Sequence, residues 1–316
     1  MAAVADACPY ADTDRLVSVV VPVRNDRRAY LRDLLAALAR QTLPRDRFEV
    51  LIGDDGSSDG STIGLETVDG WVRVLRGPPL NAYAARNRAA RAGRAPVLAF
   101  VDSDCRPEPD WLEAGLAALE RADAAAGGIR FVAPERPTVW TLIDVETTKD
   151  HARQVRFANA ETANLFVRRE VFDRVGGFDD SQPGHGDFDF AERIVAAGVQ
   201  LVYAPEALVW HPTRDTARPF LRMVWEMNRS YAARVVRDGR RPAAVKLRCW
   251  VPVVSTLRGR RRLGYPLGLD RRQLAENGFR PRLRDQLRAL PLLYLFLPYV
   301  RAAAQLRGYF DGRRLR

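Results

Sequence analysis

Residues 16–26 read LVSVVVPVRND, a β-branched run that closes on a proline, an arginine and a helix-capping pair. A strand covered on both faces needs no alternation of polar and apolar side chains, so the unbroken run suits the interior of a parallel sheet. Beyond Asp26, placed to cap a helix, Leu31, Leu34, Leu35 and Leu38 recur at helical spacing toward Gln41. The theme then repeats. Phe48–Ile52 is a second apolar strand ending in GDDGSSDG (53–60), and Val72–Leu75 is a third, followed by a helix from Ala82 to Ala92. Pro96–Val101 is a fourth, running straight into Asp102-Ser103-Asp104. Strands alternating with helices at this interval predict βαβ crossovers and an α/β fold with an open, mostly parallel central sheet.

Farther along, a helix is expected over 110–121, strands over Ala124–Val132 and Asn164–Val167, and a helical turn from Arg169 to Val175. A helix opens within GHGDFDF (184–190), and two short strands, Leu201–Tyr203 and Ala207–Trp210, lead to His211. Residues 134–158 show no decisive period. Past Thr213 the pattern changes to arginine-rich amphipathic helices, which divides the chain into an N-terminal tail (1–15), a core domain (16–215) and a basic, mainly helical region (216–316).

With 316 residues, 47% hydrophobic and 28% charged, the composition argues for a globular protein and against collagen, coiled coil or wholesale disorder. Cys8, Cys105 and Cys249 are too few and too scattered for a disulfide framework or a CxxC zinc site, and they suit a reducing cytoplasm. The net charge of +11 conceals a split: residues 1–213 hold 25 Lys and Arg against 32 Asp and Glu, whereas residues 214–316 hold 25 against 7. The basic block predicts a polyanionic partner: an anionic membrane surface, nucleic acid or a phosphate-bearing acceptor. No signal peptide is expected, because Asp6, Asp12 and Asp14 precede the first apolar run. The longest later apolar stretch, Ala289–Val300, contains Pro291 and Pro298 and is expected to be an interfacial segment rather than a span.

In open α/β sheets the ligand lies outside the carboxyl ends of the strands. Those ends carry Asp54, Asp55, Asp102 and Asp104 here, and carboxylates gathered on one rim repel one another unless a cation or a hydrogen-bonding ligand joins them. Turn and cap chemistry accounts equally well for Asp59 and Asp55. It accounts less well for Asp102 and Asp104, which follow an apolar strand two residues apart and so are expected to project to one side.

Six pieces in order, VSVVVPVRND, IGDDGSSDGST, AARNRAARAG, AFVDSDC, TANLFVRREVFDRVGGFDD and GDFDFAERIVAAG, resemble the family 2 glycosyltransferases of the GT-A fold over residues 16–213. The resemblance implies a metal-dependent, inverting transfer of sugar from a nucleotide-diphosphate sugar, a UDP-sugar first, to an acceptor hydroxyl on a lipid-linked or cell-envelope glycan or a small molecule. Asp102 and Asp104 match the family's DxD pattern; it implies Asp104 as a ligand of Mg²⁺ or Mn²⁺ and Asp102 as leaning toward the ribose or the metal. His211 follows the last core strand, where a further metal or diphosphate contact is expected. Pro22, Arg24 and Asn25 match the first nucleotide loop, Asp54 and Asp55 the pair beside the base, and Arg86 an arginine near the nucleotide.

Asp187 matches the acid that takes the acceptor's proton, with Gly186 standing where the family commonly has Glu. Asp189, two residues on, is the rival, expected to brace the site or to pair with Arg193. Asn164, Phe166 and Gly176–Phe178 are expected on the acceptor side. The QxxRW motif of the processive synthases is not found in the sequence, so transfer of one or a few sugars is expected. In the tail, Arg258, Arg260, Arg261, Arg262, Arg271 and Arg272 beside Trp250, Leu263, Tyr265 and Leu267, then Leu292–Phe296, suit a surface lying on an anionic leaflet on the cytoplasmic side. A solvated helical cap is the competing reading. A nucleotidyltransferase would want a glycine-rich phosphate loop that PVRNDR lacks, and a noncatalytic binder of nucleic acid would leave the acidic rim unexplained, so nucleic acid is not the expected partner.

Overall fold

The computed structural model describes residues 14–26, 30–67, 70–132, 134–181, 183–239, 252–262 and 269–314. Most of the N-terminal tail, with Cys8, and the tail residues Cys249, Trp250, Leu263, Tyr265 and Leu267 lie outside them. Strands β1 (Val17–Val23), β2 (Phe48–Asp54), β3 (Val72–Arg76), β4 (Val97–Val101), β5 (Arg106–Pro107), β6 (Ala124–Val132), β7 (Asn164–Arg168) and β8 (Leu201–Pro212) join one sheet in the order β3-β2-β1-β4-β7-β6-β8-β5. From β3 to β4 the pairing is parallel. Beyond β4 the β4–β7, β7–β6 and β8–β5 pairs are antiparallel, so the parallel character is concentrated in the first four strands.

The unbroken apolar reading of β1 has a direct cause. Val17, Val19 and Val21 pack with Leu31, Leu34 and Leu38 of α1 (Tyr30–Leu38) and with Trp111 of α3 (Trp111–Ala118). Val20 packs on the other face with Ala89 and Ala90 of α2 (Ala82–Ala92), Phe172 of α6 (Arg169–Arg174) and Phe190 of α7 (Gly186–Ala196). Full burial of each valine, leucine or phenylalanine among them is worth about 1.5–3 kcal/mol. Asp26 caps α1 as expected, its carboxylate accepting from the Tyr30 and Leu31 amides at 3.2 and 2.7 Å. Pro22 can sit in a central strand because β4 pairs with β1 only from Val17 to Val20; at Pro22 the missing N–H costs no β4 bond. At Gly53 the carbonyl of Ala85 comes within 2.3 Å of where a Cβ would lie, so only glycine lets α2 approach the end of β2.

Two expectations change here. The separate strands at Leu201–Tyr203 and Ala207–Trp210 are one twelve-residue strand, β8, that runs through Pro205. Asp102 and Asp104 do not share the side of an extended strand either: β4 stops at Val101, and the Cys105 amide bonds the Asp102 carbonyl at 3.1 Å, closing a turn.

The chain forms two compact units. One comprises Met1–Ile129, Gln154–Ser181 and Gly186–Trp210, and the other Arg130–Arg153, Gln182–His185 and His211–Arg316. Beside the expected boundary at 215/216, this division places residues 130–153, 182–185 and 211–215 with the C-terminal helices.

In the second unit the undecided 134–158 stretch becomes α4 (Val139–Thr147), with a Thr138/Thr141 capping box, and α5 (His151–Gln154). They are followed by α8 (Ala217–Arg237), α9 (Pro252–Arg262), α10 (Arg271–Glu276) and α11 (Leu283–Arg314). Phe131, Ile143, Phe220, Leu274, Leu293 and Leu297 are among its core residues. Pro291 and Pro298 do not break α11. A wider π-turn over Leu292–Phe296, with the Leu297 amide on the Leu292 carbonyl, lies between the two prolines, and the helix runs for 32 residues. Arg260, expected on a basic surface facing an anionic leaflet or solvent, is buried and ion-paired with Glu146, whose carboxyl burial pushes up against the pull of that arginine.

Candidate functional site

The strand order supplies the site's location. From β1 the chain steps outward through β2 and β3, then returns to the other side of β1 with β4, so the order reverses between β1 and β4. A crevice opens at the carboxyl ends of strands at such a point. The loops after β1, β2 and β4 that border it carry Arg24 and Asn25, Asp55, and Asp102 and Asp104; Pro22 and Asp54 lie just inside the strand ends.

The first two loops are stitched together. Asn25 adopts a left-handed backbone (φ 55°); its amide donates to Ser57 Oγ at 3.0 Å and its Oδ1 accepts from the Ser58 amide at 2.8 Å. Asp54 is committed to the same loop: Oδ1 accepts from the Ser57 amide and Oδ2 from the Thr62 hydroxyl. Burial opposes its charge, but the bonds from Ser57 and Thr62, with Arg76, outweigh burial and hold the carboxyl below its ordinary value. The side chain expected beside a base therefore braces the loop. Asp55 is buried too, its Oδ1 accepting from the Leu80 amide at 2.8 Å and its Oδ2 facing exposed Arg24 at 3.5 Å.

Helix α2 organises the crevice. Asn81 caps it, accepting from the Tyr83 and Ala84 amides, and Arg88 fastens it to β2 and β3 through the carbonyls of Asp54 and Leu75. Arg86 is buried and donates to Asp102 Oδ1 at 2.6 Å, so the two residues form one unit at the crevice. Its Nε is buried and has no hydrogen-bond partner among the described residues. Asp104 is half-buried in the turn after β4. Hard carboxylate oxygens in such a turn fit Mg²⁺ or Mn²⁺, so the residues present suit the implied cation. His211 follows directly on Trp210 of β8 and is buried, with Nδ1 2.6 Å from the Pro212 carbonyl oxygen and its ring edge-on to Phe131.

Helix α7 carries Asp187 in its first turn, half-buried, with Oδ1 accepting from the Phe188 amide at 3.0 Å and the Tyr83 hydroxyl at 3.3 Å. Asp189 makes the expected pair: Arg193 donates to it at 2.8 Å and also to the carbonyls of Val175 and Gly177, fixing the glycine turn. Asn164 and Phe166 leave the acceptor side for the core. Asn164 is wholly buried, accepting from Trp111 Nε1 and donating to the carbonyls of Gly128 and Ala207, and Phe166 packs on Trp111 with ring centroids 5.0 Å apart. Phe178 is buried as well, between Phe100, Phe172 and Phe190. Among the residues not singled out earlier, Asn87 matters: its side-chain amide exchanges two bonds with the Phe178 backbone. Asn81 could have been found from its place before a helix; Tyr83 and Asn87 carry no such local signal.

Comparison with known proteins agrees with this geometry. The chain is 33% identical to glycosyltransferase AglE of Haloferax volcanii over 211 residues, 65% of this chain and 68% of that protein. Its fold is similar to the mannosyltransferase PcManGT of Pyrobaculum calidifontis, solved in complex with GDP-Man and Mn²⁺, with a TM-score of 0.60 at 18% identity over 94% of this chain and 86% of that one. It is also similar to GalNAc-T7, solved with UDP, GalNAc and Mn²⁺, with a TM-score of 0.52 at 18% identity over 70% and 51% of the two chains. Residues 18–176 match the model of glycosyl transferase family 2. With the strand-switch crevice and its acidic rim, that match assigns the protein: it is a glycosyltransferase of the GT-A fold and belongs to glycosyl transferase family 2.

Proposed function

We propose that the protein transfers a sugar from a nucleoside-diphosphate sugar to an acceptor hydroxyl with inversion at the anomeric carbon, residues 16–215 carrying the chemistry. The observation that carries the reading is the Arg86–Asp102 pair, a buried guanidinium bonded to the carboxylate that directly follows β4. Arg24 and Asp55 flank the nucleotide on a floor that Pro22, Asn25 and Asp54 keep in shape. Asp102, Asp104 and His211 are the residues to hold Mg²⁺ or Mn²⁺, which when bound neutralises charge growing on the departing diphosphate. Asp187 accepts the acceptor's proton as that oxygen bonds to the anomeric carbon, the bond from carbon to phosphate oxygen breaks, and the nucleoside diphosphate leaves.

A UDP-sugar is the first donor to try and a GDP-sugar the second, given the ligands of GalNAc-T7 and PcManGT. The test is transfer and donor hydrolysis with and without Mn²⁺. Asp104→Ala should lose about 100-fold or more in kcat/KM. Full activity in chelator, or in that variant, overturns the metal reading.

The acceptor is placed at an anionic membrane surface on the cytoplasmic side. Leu283, Leu287, Leu295, Tyr299, Leu306 and Phe310 of α11 are 48–68% exposed and recur at steps of four, seven and eight, one side of a helix re-phased by its π-turn. Exposed Arg284 and Arg307 lie on the same helix. The lipid-facing residues are thus not the continuous Leu292–Phe296 run, whose Leu293 is core. By length and composition α11 is also the one helix among the described residues apolar enough to cross a membrane. Flotation with phosphatidylglycerol vesicles should carry the protein up at low salt and fail for Leu295→Glu with Tyr299→Glu. Absence of wild-type association would overturn this placement.

A further inference from the structure

Tyr83 lies in the first turn of α2, 7% exposed, with its side chain at the start of α7. Its hydroxyl donates to Asp187 Oδ1 at 3.3 Å. Its ring covers Gly186: a Cβ there would come within 2.9 Å of the tyrosine Cδ2 and Cε2, closer than side chains tolerate. The Arg86 guanidinium, which holds Asp102, lies 5.5 Å from the centre of the same ring. One phenol therefore touches the acid proposed as base and the arginine that holds a rim aspartate. Burial and then the Asp187 charge push the Tyr83 hydroxyl far up, against the pull of Arg86 and of the Gly186 and Asp187 amides, so the group keeps its proton throughout the neutral range.

We propose that Tyr83 is a positioning residue that orients Asp187 by donating its hydroxyl proton to Oδ1, and that Gly186 is bare of a side chain so that the ring can reach it. The proposal rests on the reading of Asp187 as the base. Two donors, the Tyr83 hydroxyl and the Phe188 amide, meet on the same oxygen and fix the plane of the carboxylate while the acceptor hydroxyl approaches. Gly186 is where this chain departs from the family's pattern, and its space is occupied by a side chain from another helix.

The test uses the full chain. Tyr83→Phe keeps the ring and removes the hydroxyl; kcat should fall about tenfold while the donor KM stays within about twofold. Losing a donor to the carboxylate should also move the acid limb of the kcat/KM profile about half a pH unit upward. The charge facing the pair from α2 is Arg86, and Asp189 on α7 is engaged by Arg193, so neither alters the sign. Gly186→Ala, which pushes the ring aside, should act in the same direction and add little on top of Tyr83→Phe. Wild-type kcat with an unmoved acid limb in Tyr83→Phe overturns the proposal, as does a raised donor KM at unchanged kcat. Asp187→Asn separates the two readings. If it retains wild-type turnover, the base assignment and this proposal fall together; if it is inactive while Tyr83→Phe is normal, Tyr83 alone loses its role.

Discussion

Single residues at the crevice divide into those that face it and those that hold its walls. Asp54 belongs to the walls, and its lowered carboxyl makes a testable statement about acid stability. The stability it contributes is present above the unfolded carboxyl's value and is lost as the pH falls through the lower folded value. Asp54→Asn should flatten the acid end of a plot of unfolding free energy against pH and leave the neutral-to-alkaline shape unchanged. Gly53→Ala should cost about 1–3 kcal/mol in urea unfolding, because its methyl meets the Ala85 carbonyl. At this scale the sequence discloses identity more readily than office. Aspartates at strand ends can be read from spacing, but whether a carboxylate faces ligand, as Asp55 can beside Arg24, or ties a turn, as Asp54 does, depends on amides and hydroxyls that only the folded loop brings near. Asn164 and Phe166 show the same limit, since a strand residue looks alike in sequence whether its neighbour is solvent or Trp111.

Helices and strands were more legible, because their signals are periodic and local. Leucines at helical spacing mark α1, and a β-branched run without alternation marks β1 as covered on both faces. The misreadings fall where one residue outweighed its context. The stretch between Tyr203 and Ala207 belongs to one continuous strand, and Pro291 and Pro298, read as breaks, lie inside α11 on either side of a π-turn. The antiparallel pairing beyond β4 had no local signature, since β6 and β7 are as apolar as the parallel strands. Helix α2 deserves its own experiment as the element that holds Tyr83 and Arg86. Asn81→Ala removes the cap and should lower stability by about 1 kcal/mol, seen as a lower melting temperature.

For the molecule as a whole, the charge split separates a mildly acidic portion, which holds the family match, from a basic C-terminal portion. A positive region concentrates anionic partners nearby in a salt-dependent way, so lipid association should weaken steeply as ionic strength rises. Occupancy of the crevice gives a complementary whole-molecule readout. With Mn²⁺ present, the cognate nucleoside diphosphate at about 100 times its dissociation constant should stabilise the fold by about 2.7 kcal/mol, a rise in melting temperature of about 5 °C or more. The rise should vanish in Asp104→Ala.

The buried amide of Asn164 has a consequence for how the far half of the sheet finds its alignment. It grips the carbonyls of Gly128 and Ala207 at once and is gripped in turn by the Trp111 indole. Those partners sit on three separate segments of chain, so sliding β6 or β8 by a single two-residue step would strand polar atoms in a dry interior, at about 1–3 kcal/mol for each. The amide thus works as a keyway: hydrophobic side chains along these strands would tolerate several alignments, and one asparagine admits only the alignment that lets all three contacts close together.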